Sequence, residues 1–182
     1  ALPISSLDYS VYLSQPFFFV LFQVLILLIT VYAVGIEIKF RTADEWLFVA
    51  KGNMVTAVLG KLLPYTIIFI LIGWLANYVM FGILHIPFQG SWLLMNMLTA
   101  LFVVATQALG LFLFSLFPAI SLIISIVSMV GSLGATLSGV TFPVTNMYPL
   151  VRDASYLFPV RHFTEMMQNM LYGGSGFIYL WP

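Results

Sequence analysis

Few residues in this 182-residue sequence have the chemistry for catalysis. His162 and Glu165 are three apart, so a helix would set them on one face with Arg161 beside them. Such a group could move a proton or offer two metal ligands, yet two ligands do not make a zinc site and the H-E-x-x-H pattern is missing. His85 stands alone in a short loop. Both histidines therefore read as structural. Gly60-Lys61 invites comparison with a phosphate loop, but that loop needs G-x-x-x-x-G-K-[ST], and Val55 and Leu62 occupy the deciding positions. The chain carries no nucleotide-hydrolysing motif. With no Cys, it also lacks disulfides, thiolate metal sites and cysteine nucleophiles.

The elements that would position these residues are membrane helices. The chain is 62% hydrophobic and 7% charged, against roughly 45–50% and 25% in an ordinary soluble domain. Six Lys+Arg balance six Asp+Glu, which leaves no basic footprint for nucleic acid. An ionised side chain at the bilayer centre costs on the order of 2.5–3.5 kcal/mol, so charges mark water-facing segments. Between Asp8 and Glu37 lie 28 uncharged residues, and between Lys61 and Arg152 lie 90. The first gap fits one span and the second fits three, which predicts helices over about 16–35, 62–84, 92–116 and 119–140. The turns at 88–91 and at Phe117-Pro118 are short, so neighbours should be antiparallel.

Lys39, Arg41, Lys51 and Lys61 lie between the first two spans, and the positive-inside rule puts that segment in the cytoplasm. Arg152 and Arg161, beyond the fourth span, are then external and oppose the assignment two against four. Trp46, Trp92, Tyr9, Tyr12, Tyr148 and Tyr156 sit where interfacial anchors would, with Trp74 deeper. Residues 1–15 lack the basic start of a signal peptide, and a chain that begins outside with no preceding span is expected to be incomplete.

Seven of the twelve charges fall within 37–61. Thr42-Ala43-Asp44-Glu45 has the form of a capping box, which predicts a helix starting at Ala43. Asp44 and Glu45 suit its first turn, Lys51 its last, and Gly52 its left-handed terminator. Trp46, Leu47, Val49 and Ala50 would form an apolar face able to lie at headgroup level, leaving Asp44, Glu45 and Lys51 to water or a protein partner. Lys61 is expected to snorkel from the base of the second span. At the other end, small residues such as Ala135 and Gly139 permit close helix packing. Pro143, Pro149 and Pro159 divide 141–163 into apolar pieces too short to span, which predicts short re-entrant helices. From Val160 a helix is predicted, with Val160, Phe163, Met167 and Met170 on one face and Arg161, Glu165 and Gln168 on the other, where Arg161 and Glu165 can pair.

The order of these features resembles the type-2 ABC transporter permeases of the drug-exporter kind, and the likeness runs over essentially the whole chain. Gly35-Ile-Glu37-Ile-Lys39-Phe-Arg41-Thr42-Ala-Asp-Glu45-Trp46-Leu47, followed by Gly60-Lys61-Leu62-Leu63-Pro64, is similar to the family's acidic, Thr-containing cytoplasmic element. Leu137-Ser138-Gly139-Val140-Thr141-Phe142-Pro143, Met147-Tyr148-Pro149 and Tyr156-Leu157-Phe158-Pro159-Val160-Arg161-His162-Phe163 resemble its S-G-x-x-F-P and L-x-P-x-x-x-F signatures. Arg41 stands where the family usually has Gly, and Phe117-Pro118-Ala119 replaces a usual charged loop.

The resemblance implies an all-α integral membrane protein: four transmembrane helices, an amphipathic cytoplasmic coupling helix within 37–60, and short external re-entrant helices within 141–172. It also implies six spans in a whole permease, of which these would be the second to fifth, so that the chain would be a truncated portion with a first helix, an external domain and a last helix lying elsewhere. By the same resemblance, Glu37, Arg41, Thr42, Asp44, Glu45, Trp46 and Lys51 couple to the ATPase, and Phe142, Pro143, Tyr148, Pro149, Phe158 and Pro159 form the external gate. The implied partners are ABC ATPase subunits, which would bind the ATP and Mg, a second permease copy or homologue, membrane lipid and a periplasmic adaptor. The implied place is a bacterial inner membrane. The cargo of such an exporter would be amphipathic, lipid-like or drug-like. A membrane-embedded enzyme using His162, Glu165 and Arg161, and a scaffold that moves nothing, are the competing readings.

Overall fold

The computed structural model describes residues 6–83, 90–137, 153, 155, 156 and 158–172. Among these every regular element is helical. Helix α1 runs Ser6–Lys39, α2 Ala43–Val49, α3 Met54–Asn77 with a π-helical turn over Tyr78–Ile83, α4 Trp92–Leu116, α5 Ile120–Leu137 and α6 Pro159–Tyr172. Three stretches are long and apolar enough to cross a membrane: Pro16–Lys39, Met54–Ile83 and Trp92–Leu116. The apolar part of α5, Ile120–Gly134, is shorter than these. The third predicted span coincides with α4, while the second begins eight residues early. Asn53 is the reason: its Oδ1 accepts from the backbone N–H of Val55 at 3.0 Å and of Thr56 at 3.3 Å, which starts a helix where the charge pattern suggested a connector.

Helix α1 is the central rod and packs most extensively on α5 and α4. Lipid offers no hydrophobic drive to hold helices together, so their contact depends on close fit and interhelical hydrogen bonds. Close fit comes from glycine. A Cβ on Gly131 would lie 2.5 Å from Val24 Cγ2, one on Gly35 2.8 Å from Ile120 Cγ1, and one on Gly73 2.5 Å from Thr99 Cγ2. The small residues that face α1 are thus Gly131 and Gly134; Gly139, expected in that role, lies outside the described residues.

Two apolar clusters make up the core, with polar side chains interspersed. One cluster gathers Phe19, Phe22, Phe69, Phe102 and Phe163, with the Phe19 and Phe163 ring centroids 4.3 Å apart; the other gathers Leu27, Val34, Leu62, Phe114 and Val127. Between α3 and α4, the Thr66 hydroxyl donates to Gln107 Oε1 at 2.7 Å and Asn77 Nδ2 donates to Thr99 Oγ1 at 2.9 Å. These bonds tie α3 to α4 where water is absent to compete. The Trp74 indole adds a bond between the same helices, donating to the Asn96 carbonyl at 3.0 Å.

Candidate coupling site

Helix α1 carries Glu37 in its last turn, and the chain then reverses through Phe40 and Arg41 into α2. Arg41 sits at φ +57°, the left-handed region, and closes α1 in the manner of a C-terminal cap: its N–H donates to Ile38 O at 3.3 Å and that of Thr42 donates to Glu37 O at 3.0 Å. Thr42 does begin α2, but the predicted capping box is not formed. Its side chain makes no cap bond; its hydroxyl donates instead to the Glu37 carboxylate. An ionised acceptor makes the stronger bond, which is the physical reason for the turn toward Glu37.

Glu37 also receives Lys61, which reaches it from the second turn of α3, so Lys61 is paired rather than simply snorkelling. The two side chains are 19% and 20% exposed. The Lys61 ammonium lies 5.4 Å from the centroid of the Trp46 ring on α2, within cation–π range. Glu37, Thr42, Trp46 and Lys61 therefore join α1, α2 and α3 at one point. Of the predicted coupling residues the structure brings together Glu37, Thr42 and Trp46, and adds Lys61. Arg41, Asp44, Glu45 and Lys51 are exposed around them.

Helix α2 ends earlier than predicted. Val49 is its last residue, and Lys51 at φ +55° and Gly52 at φ +76° form a left-handed turn in which Gly52 N donates to Leu47 O at 2.9 Å. Gly52 is the expected terminator; Lys51 lies in the turn, not in the last helical turn. The apolar residues of α2 divide between two sides. Trp46 and Leu47 face inward over a cavity of about 530 Å³ bounded by Val34, Ile38, Val58, Leu111 and Phe114. Phe48 and Val49 point outward, 85% and 81% exposed. Sequence reading missed Phe48, although a Phe between two charged flanks on a seven-residue helix was a visible signal.

In the predicted external segment, Phe142, Pro143, Tyr148 and Pro149 lie outside the described residues, as does His85. Phe158 is half-buried and its ring approaches Gly134, where a Cβ would lie 3.4 Å from Phe158 Cδ1. Pro159 opens α6 at the position where a missing N–H costs nothing. The face prediction for α6 holds for Val160, Phe163 and Met167, which are buried, and fails for Arg161. Arg161 is buried with its guanidinium 4.1 Å from the Tyr156 ring centroid, whereas Glu165 is exposed; α6 packs on both α1 and α4, so its buried face is wider than one stripe. His162 Nε2 lies 2.9 Å from the Tyr156 carbonyl. Among the described residues no three His, Asp or Glu side chains converge on a metal-sized site.

A family model described as ABC-2 family transporter protein matches residues 4–182. The chain is 32% identical over 104 residues to the Inner membrane transport permease YhhJ of Escherichia coli (strain K12), covering 56% of this chain and 27% of that protein. It is 26% identical over 139 residues to the Probable multidrug ABC transporter permease YbhS of the same organism, covering 74% of this chain and 36% of that protein. The chain thus spans about a third or less of the curated relatives it matches. No solved structure matches it significantly. With the family match running from residue 4 to the last residue, over helices suited to a bilayer, this chain belongs to the ABC-2 family of transporter proteins, as part of a permease-type integral membrane subunit.

Proposed function

We propose that the chain is the core of a permease that moves an amphipathic, lipid-like or drug-like cargo out across a bacterial inner membrane, driven by separate ATPase subunits that bind the ATP and Mg. The names of the two relatives, an inner membrane transport permease and a multidrug ABC transporter permease, support this reading. In it α5 is the fourth span, the α1–α3 elbow faces the cytoplasm, and a second permease copy completes the path. The segment 141–172, with Phe142, Pro143, Tyr148, Pro149, Phe158 and Pro159, serves as the outer gate.

The observation that carries the mechanism is the division of α2 into two faces. Phe48 and Val49, flanked by Asp44, Glu45 and Lys51, are the part an ATPase can grip. Trp46, through Lys61 and Glu37, ties the same short helix to the ends of α1 and α3. A push on α2 then moves two long helices together, and the motor biases the permease only by gripping α2 differently in its open and closed forms.

The test is co-purification of the ATPase with the full-length permease. Phe48→Asp with Val49→Asp removes the outward apolar knobs and leaves Glu37, Trp46 and Lys61 unchanged, and is expected to lose the ATPase while the permease keeps its elution profile and thermal stability. Glu45→Lys with Trp46→Ala is expected to retain some ATPase but to uncouple its hydrolysis from export. An ATPase bound as tightly by the Phe48→Asp/Val49→Asp protein as by the unchanged one overturns the assignment of α2.

A further inference from the structure

Gln23 lies within the membrane-crossing part of α1, fully buried. Its Oε1 accepts from the backbone N–H of Val160 at 2.9 Å, across 137 residues of sequence. That N–H is one of the donors a helix leaves without an internal acceptor at its start. In the first turn of α6, Pro159 has no N–H, Arg161 donates to Phe158 O at 3.1 Å, and Val160 donates to Gln23. A side chain of α1 therefore completes the N-terminus of α6. Helix α5 leaves room for it: a Cβ on Gly134 would lie 2.9 Å from Gln23 Nε2.

The side of α6 toward α4 is apolar. Between α6 and α4 lies an apolar pocket of about 380 Å³, lined among others by Leu98, Leu101, Ala105, Pro159, His162 and Met166. Helix α6 is thus hydrogen-bonded to α1, whereas toward α4 it packs through apolar side chains, with the Phe102 and Phe163 ring centroids 4.9 Å apart and the pocket beside them. In hydrocarbon no water stands ready to replace a lost acceptor, so parting Gln23 from Val160 leaves two polar groups unpaired. The contacts with α4 around the pocket are mostly apolar, and these can slide without leaving a hydrogen-bonding group unpaired. Glu37 is 14 residues further along α1, about 21 Å at the helical rise, so the same rod carries the coupling cluster at one end and the α6 tie nearer the other.

We infer that Gln23 is a positioning residue that makes α1 and α6 one moving body, so that α6 follows α1 and the pocket between α4 and α6 changes size as it does. The inference rests on the ATP-driven reading for the cause of the motion, though not for the tie itself.

Spin labels on the full-length permease with its co-purified ATPase test both parts. One pair, Phe17→Cys with Glu165→Cys, spans α1 and α6; a second, Leu101→Cys with Glu165→Cys, spans α4 and α6. All three positions are exposed and this chain contains no Cys, so only cysteines elsewhere in the full-length permease and its ATPase need replacing first. At rest the α1–α6 pair is expected to give one narrow distance. Gln23→Met, similar in size and lacking an acceptor oxygen, is expected to lose that single peak, and Gln23→Glu, which keeps an acceptor oxygen, to retain it. On trapping with ATP and vanadate the α4–α6 distance is expected to shift by about 2 Å, the scale of helix shifts in switching proteins, while the α1–α6 distance stays fixed. A Gln23→Met peak as narrow as that of the unchanged protein overturns the inference, and so does an α1–α6 distance that shifts as far as the α4–α6 distance. Failure of the exporter reading shows separately, as the absence of any ATPase in the preparation. The resting comparison decides the tie even then, and the labelled protein with Gln23 intact decides the motion if Gln23→Met does not fold.

Discussion

Arg41 illustrates how much one residue can hide. Resemblance to the permeases places a glycine there, and the backbone at φ +57° is the conformation that glycine accepts without penalty. A side chain in that region costs roughly 1–2 kcal/mol, partly offset because glycine loses more freedom on folding. Arg41→Gly is therefore expected to raise stability by up to about 1 kcal/mol, read as a higher unfolding temperature of the detergent-purified protein. A clear fall would mean that the Arg41 side chain makes a contact worth more than the strain. The Glu37–Lys61 pair shows the opposite limit of sequence reading. Both residues were visible as charges at the edges of hydrophobic stretches, but 24 residues separate them, and only the antiparallel packing of α1 on α3 reveals that they meet. The same holds for Gln23 and Val160: a lone polar residue in a span was legible, and its partner, across nearly the whole chain, was not.

At the scale of elements, hydrophobic length and charge spacing were enough to place α4, the middle of α1 and the middle of α3, because a bilayer penalises every interruption. Helix ends were less legible, since caps depend on local competition. Thr42 turned to a carboxylate instead of to the backbone, and Asn53 captured two N–H groups that began α3 early. Packing partners were least legible, because many small residues along α5 could face a neighbour and only the folded chain selects Gly131 and Gly134. The choice can be tested. Gly131→Ala places a Cβ 2.5 Å from Val24 Cγ2, closer than side chains tolerate, so α1 and α5 must separate locally. The expected cost is about 1–3 kcal/mol, as for other overpacked sites, measured as thermal stability in detergent. Adding Val24→Ala should recover most of it, since the obstructing methyl groups are gone. Two independent losses in the double variant would show that these residues do not face each other.

At the scale of the whole molecule, the fold puts two clusters of side chains at different places along one rod. Glu37, Thr42, Trp46 and Lys61 gather where α1, α2 and α3 meet, while Val160 bonds Gln23 on the other part of α1, with Phe158 beside it near Gly134 of α5. An exporter driven from one side needs these places on opposite faces of the membrane. Four basic residues around α2, against Arg152 and Arg161 near α6, set the expected orientation with α2 in the cytoplasm. Lys51→Cys and Glu165→Cys test it, since both side chains are exposed and neither belongs to a packed cluster. In intact cells or spheroplasts a membrane-impermeant maleimide is expected to label Glu165→Cys and to leave Lys51→Cys untouched until the membrane is opened. Labelling of Lys51→Cys from outside would invert the topology and leave α2 beyond the reach of any cytoplasmic ATPase. Labelling of both from one side would mean that the chain between α2 and α6 crosses an even number of times, so that α5 does not serve as the fourth span, and the path from motor to gate along α1 would have to be abandoned.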